Sequence, residues 1–291
     1  MEADQIPSLV AGFHSVNKPQ EFHVDWAKFY AQALVRGREL RARTRHKSGL
    51  RYGDAPAQVL NIFYPAQPRS DGLVYVFMHG GAFSEGHPDL CDYVGERLVD
   101  QGIHFVSMGY RVSPTRFPES AGDVAKGLAF LDAQLHQEGL SLNRYCLSGH
   151  SSGASIAALL GVRPDLLQAA GMRPSAIESM VLFSGIYDFN PPDPGASFVD
   201  PALRNQASPL LHCKDAPKKT LLIYGDPEVN RKANSPDIFK VRALQFEGAL
   251  RSHGHAAIRI SMPEADHIAT ALAMDDDAVF STVMGVLVGS D

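Results

Sequence analysis

Ser151 lies in Gly149-His150-Ser151-Ser152-Gly153, one residue after the apolar run Tyr145-Cys146-Leu147 and before a stretch rich in small residues. A serine hydroxyl near neutral pH is a weak nucleophile. It becomes effective when a base takes its proton and a third group orients that base. Gly-x-Ser-x-Gly between a strand and a helix supplies such a serine on a sharp, strained turn that lifts the hydroxyl over a helix N-terminus. The flanking glycines have no Cβ to collide there. On such an elbow the chain order is Ser, acid, His. A histidine follows at Asp266-His267, and two carboxylates precede it at Asp226 and Glu228. Upstream, His79-Gly80-Gly81-Ala82-Phe83 follows an apolar run, and its paired glycines can turn backbone N–H groups toward a ligand. With the N–H of Ser152, those of Gly80 and Gly81 form a candidate oxyanion hole. Losing one such donor typically costs about 3 kcal/mol of transition-state stabilisation.

The elements that must position these groups alternate between strand and helix, which predicts a mostly parallel sheet covered on both faces. Strands are expected at Val59–Tyr64, Leu73–Met78, Ile103–Met108, Tyr145–Leu147, Ser179–Phe183, Thr220–Tyr224 and Ala257–Met262. Helices are expected at Asp89–Gln101, Ala121–Gln137, Ser152–Leu160 and Pro236–Ser252, with Asp275-Asp276-Asp277 opening a last one. Each candidate group then falls just past the C-terminal end of a strand, where open α/β sheets bind ligands.

The set His79-Gly80-Gly81, Gly149-x-Ser151-x-Gly153, Gly225-x-x-Glu228 and Asp266-His267 resembles the α/β-hydrolase fold. More narrowly it resembles the esterases related to hormone-sensitive lipase and the kynurenine formamidase group. Met108-Gly109-Tyr110-Arg111-Val112-Ser113-Pro114, Phe117-Pro118 and Asp123 carry the same likeness. Ser184-Gly185-Ile186-Tyr187-Asp188 with Ser208-Pro209-Leu210 resembles the formamidase side. The similarity runs from about Val59 to about Ala271. It implies a serine hydrolase with Ser151 as nucleophile, His267 as base and an acid after the Gly225 strand. The Gly-x-x-acid register favours Glu228 over Asp226. It implies an oxyanion hole at Gly80, Gly81 and Ser152, and a substrate pocket touching Ala82, Phe83 and His150. Two features depart from the resembling families. These usually carry Asp as the acid, and the formamidases usually place aromatic residues directly after His-Gly-Gly. The implied substrate is a small to medium acyl ester, with an aryl formamide as the alternative. A hydrolase fold used only to bind ligands is a third reading.

A chain of 291 residues with 45% hydrophobic content can bury one large core. We expect a segment 1–50, helical and part of a cap over the site, and a catalytic domain 51–291. Residues 25–47 carry Arg36, Arg38, Arg41, Arg43, Arg45 and Lys47. Against a net charge of −5 this run reads as a solvated helix face rather than a nucleic-acid or membrane contact. Trp26, Phe29, Tyr30 and Leu34 on that helix are candidates to lie over the pocket mouth, and the stretch 190–205 is expected to form its other rim. His87 is a further pocket candidate by position. The first seven residues do not resemble a secretory signal, and no apolar stretch approaches the ~18 residues that span a bilayer. Three scattered cysteines do not make a disulfide framework. A cytoplasmic protein is expected, with no cofactor and no metal. His253-Gly254-His255 lacks further ligands at zinc spacing and reads as a helix end.

Overall fold

The structure is a computed structural model that describes residues 26–191, 194–228 and 237–289. Its centre is an eight-stranded sheet: β1 (Arg45–Arg51), β2 (Val59–Tyr64), β3 (Leu73–Met78), β4 (His104–Met108), β5 (Arg144–His150), β6 (Ile177–Phe183), β7 (Lys219–Asp226) and β8 (Ala256–Pro263). The order is β1-β2-β4-β3-β5-β6-β7-β8. β1–β2 and β2–β4 pair antiparallel, and all other neighbours pair parallel. The helices are α1 (Trp26–Arg43), α2 (Gly95–Asp100), α3 (Glu119–Gln137), α4 (Ser152–Val162), α5 (Pro164–Ala169), α6 (Arg204–Ala207), α7 (Ile238–Ser252) and α8 (Asp277–Val288), with short 3-10 turns between them.

Strands buried on both faces read as continuous apolar runs because successive side chains enter different cores. In β3, Val74, Val76 and Met78 face the core formed with α3, α4 and α7, while Leu73, Tyr75 and Phe77 face the core formed with α1, α2 and α8. Every residue of α4 is buried, so the helix following Ser151 is fixed against the sheet from end to end. The last helix begins where the acidic run predicts. Asp276 caps it, its carboxylate accepting from the N–H groups of Ala278 and Val279.

The basic run departs from expectation. Helix α1 stops at Arg43, and Arg45 and Lys47 lie on edge strand β1. Three arginines of α1 are not simply a solvated face. Arg36 pairs with Glu96 and Asp275, Arg41 with Asp89 and Asp92, and Arg43 with Asp100. Two buried acids explain this arrangement. Asp89 and Asp92 lie under α1, where Asn61 donates to both and Ser107 donates to Asp92. A buried carboxylate needs a paired cation, and Arg41 supplies it. A division after residue 50 would fall inside β1, which is paired to β2. The segment expected as one helix over 89–101 is two 3-10 turns followed by α2. Among the described residues no helix is long and apolar enough to cross a membrane.

Candidate active site

β5 ends at His150, and Ser151 bridges to α4 with φ 54° and ψ −120°. A non-glycine residue held there stores on the order of 1–3 kcal/mol unless its surroundings fix it. They do: the Ser151 N–H donates to the Phe183 carbonyl at 2.8 Å, and the Ser151 carbonyl accepts from Ser155 N–H at 3.1 Å. The turn is also packed without clearance. A Cβ on Gly153 would stand 2.2 Å from the Met78 carbonyl oxygen, and one on Gly149 would stand 2.5 Å from the Gly153 carbonyl carbon. Glycine is required here by close approach, which also brings the elbow against the end of β3.

The histidine and one acid meet the serine. His267 Nε2 lies 2.9 Å from Ser151 Oγ, and His267 Nδ1 lies 2.5 Å from Glu228 Oε1. The other oxygen, Glu228 Oε2, accepts from the Gly225 N–H at 2.8 Å. Asp226 is elsewhere, ion-paired to Lys240 at 2.6 Å on a partly exposed edge. The Gly-x-x-acid register therefore identifies the carboxylate that reaches His267. Burial disfavours charge on both partners, pushing the Glu228 carboxyl up and lowering His267 from 6.5 to about 4. The imidazole is thus neutral at pH 7, the state a base requires.

The His79–Phe83 loop lies beside the elbow. A Cβ on Gly80 would be 3.3 Å from Ser151 Cβ. Gly81 has φ 121°, and its carbonyl turns inward to accept from the N–H groups of Ser84 and Glu85. Among the described residues none accepts from the N–H of Gly80, Gly81 or Ser152. Tyr110, from the Met108-Gly109-Tyr110 segment, ties loop to elbow. Its O–H donates to the His79 carbonyl at 2.9 Å and lies 3.2 Å from Ser152 Oγ, and its ring stacks on His79 at 4.3 Å.

A cavity of about 40 Å³ opens on Gly80, Gly81, Ser151 and His267, with Phe29, Tyr30, Phe77, Cys91 and Tyr93 among its walls. Of the helix residues expected over the pocket mouth, Phe29 and Tyr30 line the cavity and Leu34 does not, while the side chain of Trp26 lies outside the described residues. The pocket expectations for Ala82, Phe83 and His87 change, while that for His150 holds. Neither Ala82 nor Phe83 lines this cavity; Phe83 turns instead into a separate apolar pocket with Phe117, Phe189 and Phe198. His150 does border it, but its Nε2 is engaged with the His267 carbonyl at 2.8 Å. His87 accepts from Asp89 N–H and begins a 3-10 turn outside the cavity. Part of the expected 190–205 rim, residues 192 and 193, lies outside the described residues. His253 and His255 bond to backbone carbonyls around Gly254, whose φ of 84° ends α7.

The motifs assign no role to several side chains around the site. Phe239, in the first turn of α7, stacks on His267 at 4.2 Å. Thr270 donates to the His267 carbonyl at 2.9 Å and accepts from Ser184 Oγ at 2.8 Å. Ser184 also reaches the Glu228 carboxyl and holds φ 52°. It belongs to the Ser184-Gly185-Ile186-Tyr187-Asp188 motif noted above, which gave it no role beside His267.

Buried histidines give the fold a pH signature. Burial lowers His79 and His104 from 6.5 to about 4 and His150 well below 6.5. Between pH 6.5 and 4 the unfolded chain protonates at these positions and the native one does not, so each favours unfolding as pH falls, by up to ~1.4 kcal/mol per unit. Asp92, raised by burial to about 6, opposes them, because the native state keeps a proton that the unfolded state releases. His267 and Glu228 shift in opposite senses, so their contributions to this balance oppose each other. The lowered histidines outnumber Asp92, so we predict a net loss of stability between pH 6 and 5, on the order of one to a few kcal/mol. Urea midpoints at pH 7, 6 and 5 would measure it, and a midpoint unchanged at pH 5 would refute it.

The chain is similar to known esterases and formamidases. Esterase LipC of Mycobacterium tuberculosis is 29% identical over 187 residues, 62% of this chain, although the match spans only 46% of LipC. Kynurenine formamidase of Danio rerio is 26% identical over 262 residues, covering 87% of this chain and 85% of the relative. The crystal structure of esterase B from Lactobacillus rhamnosis superposes with TM-score 0.70 at 19% identity, over 98% of this chain and 94% of the other, which shows the shared fold. The BD-FAE family profile matches residues 60–239. With that match spanning more than half of its length, and with this sheet order and elbow, the chain belongs to the BD-FAE family of α/β-hydrolases.

Proposed function

We propose that the chain is a serine carboxylesterase acting on small to medium acyl esters. The observation that carries the reading is the continuous Ser151 Oγ–His267 Nε2 and His267 Nδ1–Glu228 Oε1 contact, at 2.9 and 2.5 Å. Ser151 Oγ attacks the acyl carbon while His267 Nε2 takes its proton. The N–H groups of Gly80, Gly81 and Ser152 receive the oxyanion, and Glu228 stabilises the imidazolium. His267 then gives the proton to the departing alkoxide. Water, deprotonated by the same nitrogen, releases the acid and restores Ser151. The three cysteines are free and buried, which fits the reducing cytoplasm we assign to it.

The second reading, an arylformamidase using the same groups, is favoured by one observation. The formamidase relative matches over 85% of its own length, whereas LipC matches over 46%. Side-by-side turnover of p-nitrophenyl acetate and N-formylkynurenine, with Ser151→Ala as control, separates the two. Higher kcat/KM on the ester supports the carboxylesterase, and preference for the formamide replaces it with the second reading. Loss of neither activity in the variant would remove both.

The Ser184–Thr270 contact supplies a finer test. Thr270→Val keeps the shape and removes the hydroxyl that holds the His267 carbonyl. We expect kcat to fall about 10- to 100-fold with KM nearly unchanged, a misplacement effect of the kind small shifts produce. Thr270→Ser should recover most of the loss. If kcat stays within threefold in Thr270→Val, the hydroxyl has no part in placing His267.

A further inference from the structure

We propose that the cavity at Ser151 holds the acyl half of the substrate and limits it to about three non-hydrogen atoms, with Phe29 and Tyr30 of helix α1 setting the limit. The inference rests on the serine-hydrolase reading above and narrows its substrate to formyl, acetyl and, at the margin, propionyl groups.

The volume gives the first argument. A cavity of about 40 Å³ accommodates roughly three water-sized groups at ~10–15 Å³ each. One non-hydrogen atom takes about the place of one water, so a butyryl chain already exceeds the space.

The second argument concerns which half enters. The acyl group remains bonded to Ser151 while water attacks, whereas the alcohol must depart between the two steps. Phe77, Leu90, Cys91 and Tyr93, each less than a tenth exposed, form buried walls of the cavity. The alcohol needs a way out while the acyl group is still in place, so the small buried cavity suits the half that stays on Ser151 until water releases it.

The third argument is that the remaining wall is fixed. Phe29 is 6% exposed and Tyr30 7%. Phe29 meets Tyr93 edge-on at 6.1 Å, and the Tyr30 O–H lies 3.4 Å from Glu85 Oε1. Further along α1, Arg41 pairs with Asp89 and Asp92 and so fastens the helix to the turns that carry Leu90 and Tyr93, while Arg36 pairs with Glu96 on α2. Side chains packed this way resist displacement by a longer chain, because a well-packed interior yields little to added methylenes.

The experiment compares kcat/KM on p-nitrophenyl acetate, butyrate and hexanoate, with Ser151→Ala subtracted as a blank. In the unaltered protein each methylene beyond the limit is expected to lower kcat/KM about 10-fold, the scale at which pockets reject one extra carbon. Tyr30→Ala should raise the hexanoate-to-acetate ratio by at least about 30-fold, on the same scale, whereas Tyr30→Phe should leave the ratio unaltered. If Tyr30→Ala does not fold, Phe29→Leu removes less volume and should raise the butyrate-to-acetate ratio instead. Hexanoate turned over as fast as acetate by the unaltered protein would overturn the proposal, and so would a folded Tyr30→Ala with an unshifted ratio. Absence of Ser151-dependent turnover on every ester and on N-formylkynurenine would instead sink the hydrolase reading itself.

Discussion

Ser151→Ala is expected to lower kcat by about 10⁶-fold on any substrate the chain hydrolyses, with folding nearly intact. The reason for so large a figure is that the nucleophile and its base act as one unit, so removing either removes almost the whole benefit of both. What remains is the residual assistance from binding and from the N–H groups of Gly80, Gly81 and Ser152. The stability effect is small on physical grounds. Alanine keeps the same Cβ at φ 54°, so backbone strain is unchanged, and only the contact to His267 Nε2 at 2.9 Å is lost. That contact is worth about 1 kcal/mol. Gly153→Ala makes the contrasting case. Its Cβ would stand 2.2 Å from the Met78 oxygen, so it should abolish activity by displacing the elbow and should lower Tm as well. Activity and melting temperature measured on both variants separate chemistry from packing. A Ser151→Ala protein that keeps more than a hundredth of wild-type kcat, with contaminating hydrolase excluded, would show that the serine is not the nucleophile.

The elbow was legible because its constraint is steric and local: Gly149 and Gly153 are demanded by atoms that pack within the same turn and the adjoining strand end. The central strands were legible for a different reason. Burial on both faces leaves β2 through β7 with few polar positions to confuse the reading. β1 was not, because an edge strand needs little apolar surface. Its exposed arginine lies over an aromatic face instead, the Arg45 guanidinium standing 4.3 Å from the Tyr64 ring centre. The basic run of α1 misled for a related reason. Its partners, Glu96, Asp89, Asp92 and Asp275, are spread over 180 residues of sequence, so their pairing exists only in three dimensions. The same holds for Thr270 and Ser184, 86 positions apart and joined by a 2.8 Å contact. His150 shows the limit of assigning roles by adjacency to a motif. It is next to the serine, yet its ring turns under the loop and bonds to a carbonyl instead of presenting a free donor to the cavity.

The choice between Glu228 and Asp226 carries the second large effect. Glu228→Gln should lower kcat about 10⁴-fold, the scale seen when a triad acid becomes its amide. Three consequences follow from one atom change. The amide N–H group competes for His267 Nδ1 and favours the tautomer that leaves Nε2 protonated and useless as a base. The imidazolium loses its compensating charge. The Gly225 N–H, which donates to Glu228 Oε2 at 2.8 Å, keeps an acceptor only if the amide oxygen turns to it, leaving the NH₂ toward His267. Asp226→Asn should change kcat less than about threefold, because Asp226 is a partly exposed partner of Lys240 and such pairs contribute about 0–1 kcal/mol. The pH profile adds an independent arm. A carboxylate stabilises the protonated imidazole, so its loss lowers the apparent pKa, and residual activity in Glu228→Gln should persist to lower pH than in the wild type. A structural disturbance alone would reduce the rate without moving that limb. Loss of turnover in Asp226→Asn with Glu228→Gln near wild type would transfer the role to Asp226, and would require a rearrangement carrying that side chain away from Lys240 to His267.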